Sequence, residues 1–216
     1  MGRVLLGDGG QMPRPAGVRN HDFEAKRTAL LKTLTEFELN DDLRRPSLRQ
    51  FAIAAKASEP TLRHYFRARQ GLVIAILGHI HDRGVPLWEV IKTGAPDTAT
   101  AVTEYFRITE AGLTHGGFAR AHAFGIIEGM ADEVVGRAYL ELLLDPALEA
   151  VSKKMAATPG HPETETECRA SAFMMLSPIL VMTLHQQLLG GKDASPIDTD
   201  GFLKLMQGWL ASGLSD

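Results

Sequence analysis

Cysteine is almost missing from this chain: Cys168 is the only one in 216 residues. An internal disulfide framework and a Cys-based zinc cluster are both excluded, and the composition fits a reducing cytoplasm. Three neighbouring carboxylates in "ETETECRASAF" disfavour the thiolate, so Cys168 reads as a helix residue rather than a nucleophile. Long hydrophobic runs are lacking too. No apolar stretch approaches the roughly 20 residues that span a bilayer, and the first twenty residues hold no secretion-signal core, so no membrane partner is expected. Alternating apolar runs with Asn-Gly or Asp-Gly turns are absent, which argues against hairpins. There is no Gly-rich phosphate loop, no Gly-x-Ser-x-Gly elbow and no His-Glu-x-x-His pair, so neither a cofactor nor a metal is expected. His79 and His81 do not fill that gap, because residues two apart on a helix point roughly 200° from each other.

What the chain does have is helical periodicity throughout. The opening "MGRVLLGDGGQMPRPAGVRN" is rich in Gly and Pro and reads as a flexible arm over residues 1–21. A first helix is predicted over 22–39, with Leu30, Leu34 and Phe37 on one face. Ser47 and Gln50 form a capping box, so a second, short helix starts there and turns Leu48, Phe51, Ala52 and Ala55 inward. Ser58 caps a third, with Pro60 in its first turn and Leu62, Tyr65 and Phe66 as its apolar stripe. The fourth, over 70–83, buries Leu72, Val73, Ile76, Leu77 and Ile80. After Gly84-Val85-Pro86 the pattern changes to a short helix near 87–92 and longer ones at 98–115, 117–131, 133–157, 165–189 and 198–213. Asp145-Pro146 restarts or bends the 133–157 helix, Ser177-Pro178 is a second such point, and Gly190-Gly191 is a stop. The prediction is an all-α chain, with a small module at 22–83 followed by a larger helical body at 84–216.

Charge divides along the same line. Residues 1–84 carry 14 Lys/Arg against 9 Asp/Glu, whereas residues 85–216 carry 9 against 17. Only the first part suits a polyanion, although chance clustering would give the same arithmetic. Two short helices across a tight turn, the second showing Thr61, Arg63 and His64 opposite its apolar stripe, form a helix-turn-helix unit. Its outer face is available to DNA. Arg63 and His64 can donate to phosphates or base edges, Thr61 offers a hydroxyl and a methyl, and Ser58 sets the positive end of a helix near a phosphate. An ordinary helical hairpin with a solvated face would show the same pattern.

The run from Ser47 to Leu77, "SLRQFAIAAKASEPTLRHYFRARQGLVIAIL", resembles the DNA-binding segment of TetR-family transcriptional regulators. Phe51, Ala52, Ala55, Ser58, Thr61, Leu62, Tyr65, Phe66 and Leu72 match, and Arg69 stands in place of a lysine. Three positions depart from the pattern. Lys56 replaces the turn glycine, Arg63 replaces a tyrosine, and Ala68 replaces a capping side chain. Over roughly residues 22–83 the resemblance implies contacts to operator DNA from Ser47, Arg49, Ser58, Pro60, Thr61, Arg63, His64, Tyr65 and Arg69. Beyond them it implies a homodimer through the last two long helices, with Leu180, Val181, Leu184 and Leu188 among the buried residues, and a ligand pocket in the body. The expected activity is repression relieved by that ligand.

Candidate pocket residues follow from helical spacing. Glu110 lies one turn after Phe106 and Glu128 one turn after Phe124, so each carboxylate shares a face with a ring. Met175 is an adaptable wall, and His122 and Glu128 need partners inside the nearly apolar "AHAFGIIEGMA". Two carboxylates favour a small apolar ligand that is neutral or cationic. The alternatives are a constitutive DNA-binding protein without a ligand, or an all-α enzyme using His122 and Glu128.

Overall fold

The structure, a computed structural model, describes residues 16–40, 45–115 and 117–214, and these contain helices and no strand. The first helix, α1 (Ala16–Asn40), begins six residues earlier than the sequence predicts. The rest of the expected arm, residues 1–15, lies outside the described residues. The module is completed by α2 (Leu48–Ala54), α3 (Glu59–Phe66) and the start of α4 (Arg69–Ile91). Its core is the predicted one: Leu34, Leu48, Phe51, Ala52, Leu62, Phe66, Leu72, Val73 and Ile76 are all buried. Both predicted caps are present. The Ser47 Oγ accepts from the Gln50 N–H while Gln50 returns a bond to the Ser47 N–H, and the Ser58 Oγ accepts from the Thr61 N–H.

The turn between α2 and α3 takes the form that glycine favours, with lysine in it. Lys56 has φ 48°, its N–H reaches the Ile53 carbonyl at 3.0 Å, and the Ala57 N–H reaches Ala52 at 2.9 Å. Those two bonds are the Schellman pattern, which seals the end of α2 at the expense of a left-handed residue carrying a Cβ. Lys56→Gly is therefore expected to raise the unfolding free energy by about 0.5–1 kcal/mol, net of the extra chain entropy glycine brings. Thermal denaturation followed by circular dichroism checks this, and an unchanged or lower melting temperature would show the turn to be unstrained. Between α3 and α4, Arg67 (φ 68°, ψ −63°) makes a tighter turn, closed by the Ala68 N–H on the Phe66 carbonyl at 2.8 Å. Ala68 then starts α4 with no side-chain cap.

The body differs from the sequence reading in its breaks. Gly84-Val85-Pro86 does not interrupt α4, which continues to Ile91 with Pro86 inside it, so the module and the body share one helix. Next come α5 (Thr98–His115), α6 (Phe118–Ala131) and α7 (Glu133–Tyr139). A π-helical turn at Leu140–Leu144 leads into α8 (Asp145–Ala156). Pro146 explains a contact there. Without an N–H it leaves the Leu142 carbonyl lacking its α-helical donor, and the His81 Nδ1–H supplies one at 2.8 Å.

Pro178 lies within a continuous α9 (Glu165–Thr183), and the irregularity comes later, as a second π-helical turn at Leu184–Leu188. A short α10 (Gly191–Ala194), absent from the sequence reading, and α11 (Thr199–Gly213) end the described chain. In the body α8 packs on α9, α6 on α7 and α5 on α11, with α4 running against α7 and α8. The stretch Glu165–Leu188 is by length and composition long and apolar enough to cross a membrane, contrary to the expectation that no segment is; half of its apolar window is buried within the chain.

Candidate functional site

On α3 the apolar stripe is buried and the polar residues face outward. Thr61 is half-buried, Arg63 and His64 are exposed, and Arg49 and Lys56 are exposed beside them. The Arg63 guanidinium has only a long contact, 3.8 Å, to Glu59. His64 stands edge-on to the Phe23 and Tyr65 rings, while half-buried Tyr65 lies 4.7 Å from Phe23 and braces α3 against α1. The Thr61 hydroxyl is 2.8 Å from that of Ser58, so the cap and the first polar side chain of the face form one unit. Pro60 is exposed in the first turn of α3, and Ser47, also exposed, caps α2.

Arg69 is not on that face. Its Nη1 and Nη2 donate to the two oxygens of Glu128 at 2.8 and 2.5 Å, and its Nε donates to the Pro46 carbonyl at 2.7 Å. The Glu128 side chain is 1 % exposed and also receives the Arg45 Nε at 3.3 Å. The bidentate contact raises the Arg69 pKa further above its ordinary value, against the opposing effect of burial. Beside it the Gln70 amide donates to both oxygens of Asp132, the N-cap of α7, at 3.1 and 2.9 Å. Arg69 was expected at DNA and Glu128 in a ligand pocket; the structure joins them to each other and so fastens the first turn of α4 to the end of α6. Periodicity gave no signal for this pairing, because the partners are 59 positions apart.

The body contains an open cavity of about 310 Å³. It is bounded by Leu39 of α1, by Ile80, Arg83, Gly84, Leu87 and Trp88 of α4, by Phe118, Ala121 and His122 of α6, and by Leu143 of the first π-helical turn. A hollow of about 20 Å³ shares Leu87, Trp88 and Phe118 and reaches inward to Tyr105, Thr109 and Leu176. His122 is placed by its own helix and by α7: its Nδ1 lies 2.9 Å from the Tyr139 hydroxyl, and its ring is edge-on to Phe118. That closeness depends on Gly125, where a Cβ would sit 2.1 Å from a Tyr139 ring carbon. Burial holds the His122 imidazole down to about 4 and pushes the Tyr139 phenol up to about 12, so both are neutral near pH 7.

Of the six expected pocket residues only His122 lines this cavity. Phe124 and Met175 are core residues, and Phe106 and Glu110 border a separate cleft with Asp200, Leu203 and Lys204 of α11. Trp88 and Phe118, rings that the sequence leaves open between pocket and packing, line the cavity, and the lining residues without any pocket signal in the sequence include Arg83, Leu39, Ile80, Leu87 and Leu143. Among the described residues no group of three His, Cys, Asp or Glu could hold a metal ion.

No family sequence model matches the chain, and no curated protein matches it by sequence. Solved structures do resemble it. A TetR-family transcriptional regulator from Rhodococcus sp. superposes with a TM-score of 0.62 at 14 % identity, over 89 % of this chain and 100 % of that one. One from Marinobacter aquaeolei VT8 gives 0.57 at 19 % identity, over 92 % and 99 %. One from Mesorhizobium loti MAFF303099 gives 0.53 at 13 %, over 89 % and 96 %. The chain has the TetR-family fold.

On this TetR-family fold an apolar surface remains uncovered along α9 and α11. Phe173, Met174 and Val181 of α9 and Leu205 and Trp209 of α11 are exposed, Val181 at 62 % and Trp209 at 66 %. Phe173 and Met174 border a shallow groove with Met206 and Leu210. Of the residues expected at a dimer contact, Val181 faces out, Leu184 and Leu188 are half-buried, and Leu180 packs within the chain.

Proposed function

We propose that the chain is a cytoplasmic transcriptional regulator that binds a palindromic operator as a homodimer and releases it when a small, largely apolar molecule occupies the body. The observation that carries this reading is the face of α3, which keeps Thr61, Arg63 and His64 outward while Leu62 and Phe66 are buried. Arg49 and Lys56 extend the positive surface, and Ser58 directs the N-terminus of α3 to where a phosphate would lie. The enzyme reading loses its acid–base pair, since Glu128 is held by two arginines and His122 by Tyr139.

Release needs a connection between cavity and DNA face, and α6 supplies one. It carries Phe118 and His122 at the cavity, and six residues after His122, about 9 Å along the helix, it carries Glu128, bound to Arg69 at the start of α4. A ligand that favours one position of α6 favours the matching position of α4, and linkage requires DNA to weaken ligand binding in return.

The test is fluorescence anisotropy on an operator selected from genomic fragments. Affinity is expected to fall steeply with salt, and Arg63→Ala, which removes one phosphate contact per protomer, should reduce the log–log salt slope by about 2. Full affinity and an unchanged slope in the variant would make the α3 face ordinary solvated surface.

A further inference from the structure

The cavity has walls of one kind and a single charge. Leu39, Ile80, Leu87, Trp88, Phe118 and Leu143 are apolar, and no carboxylate lines it among the described residues. Arg83 is the one charged lining residue among them, exposed to solvent while bordering the cavity, and so it marks the mouth. Three arginines of the fold are paired with carboxylates, Arg69 on Glu128, Arg137 on Glu133 and Arg169 on Asp145. Arg83 has neither an ion pair nor a side-chain hydrogen bond among the described residues.

The space beside it is kept open by its neighbour. A Cβ at Gly84 would lie 3.0–3.3 Å from the Trp88 indole carbons, so glycine lets the ring lie close against α4. Deeper in, His122 adds a neutral imidazole whose Nδ1 is engaged by Tyr139.

We propose that this cavity takes a small amphipathic monoanion, with an apolar alkyl or aryl body among the leucines and rings and a carboxylate paired with Arg83. This rests on the reading of the cavity as the ligand site and names the ligand's class. The guanidinium fork matches a carboxylate bidentately, and the apolar walls exclude water from the rest of the molecule. A cationic head would meet a like charge, and a neutral head would forgo the pairing, so the class is set by discrimination at one residue. It also reverses the neutral-or-cationic expectation, whose ground was a pair of glutamates that do not line the cavity.

The experiment is calorimetric titration of the full chain, without DNA, with decanoate, decan-1-ol and decylamine, which share an alkyl body and differ in the head. Decanoate is expected to bind about tenfold tighter than the alcohol or more, with the amine weakest. Arg83→Gln should bring the acid down to the alcohol's affinity, and Arg83→Lys should keep part of the advantage. An amine that binds as tightly as the acid, an acid advantage that survives in Arg83→Gln, or no binding by any of the three overturns the proposal. Operator binding is measured separately. A protein that takes decanoate yet ignores every DNA fragment would sink the regulatory reading alone, and one released from DNA only by decylamine would sink this one alone.

Discussion

Arg69→Met is expected to lower the unfolding free energy by about 3 kcal/mol, because it leaves the buried Glu128 carboxylate without its bidentate partner. Arg45 remains, but its side chain is 45 % exposed and reaches Glu128 through a single contact at 3.3 Å, so it compensates little. Arg45→Met should accordingly cost less than about 1 kcal/mol. Chemical denaturation of the two variants checks the ranking, and the double variant Arg69→Met/Glu128→Gln supplies the second measurement. Removing both charges avoids the unpaired one, so the double variant should be more stable than Arg69→Met alone, with a coupling of about 2 kcal/mol. Equal losses in the single and double variants would mean that Arg69 acts through its packing on Phe51, whose ring centre is 5.9 Å away, rather than through the ion pair.

The other large effect is on assembly. Trp209→Glu and Val181→Glu each replace an exposed apolar side chain of α11 or α9 with a charge. A tryptophan left 66 % exposed is the kind of residue that dominates a protein–protein contact when covered. Both variants are expected to be monomers at micromolar concentration by light scattering. Their operator affinity should fall by about 100-fold or more, since a second half-site adds that much when two reading heads are joined. The helical content should be unchanged, because neither side chain is buried in the chain. A variant that stays dimeric, or a monomer that holds the palindrome with full affinity, would place the dimer elsewhere or remove the need for one.

Local features were legible in the sequence. The Ser47–Gln50 box, the Ser58 cap and the stripe of Leu62 and Phe66 all depend on partners within four positions, and spacing states them directly. Lys56 was legible as a strained position because a turn glycine was expected there. What spacing could not give were contacts across the fold. Arg69 matched a lysine of the DNA-binding pattern, yet its neighbour in space is Glu128. Phe106 and Phe124 looked like pocket residues because each shares a helix face with a carboxylate, and Met175 because its side chain is adaptable, but periodicity cannot tell a core face from a cavity wall. Arg83 gave no signal at all, since nothing near it in sequence shows that the helices beside it leave a hollow. Pro86 was read as a boundary, yet α4, packed on α7 and α8, runs on past it to Ile91.

That uninterrupted α4 bears on how such a chain can change over time. A cut or a graft at residue 84 would divide a 23-residue helix and separate Arg69 from the carboxylate it neutralises. The N-terminal module therefore does not travel alone. A recombinant that acquired a new first module without a body offering an acid opposite Arg69 would carry a charge mismatch at the joint, so the surface of α3 is changed more readily by substitution along it than by exchange of whole modules.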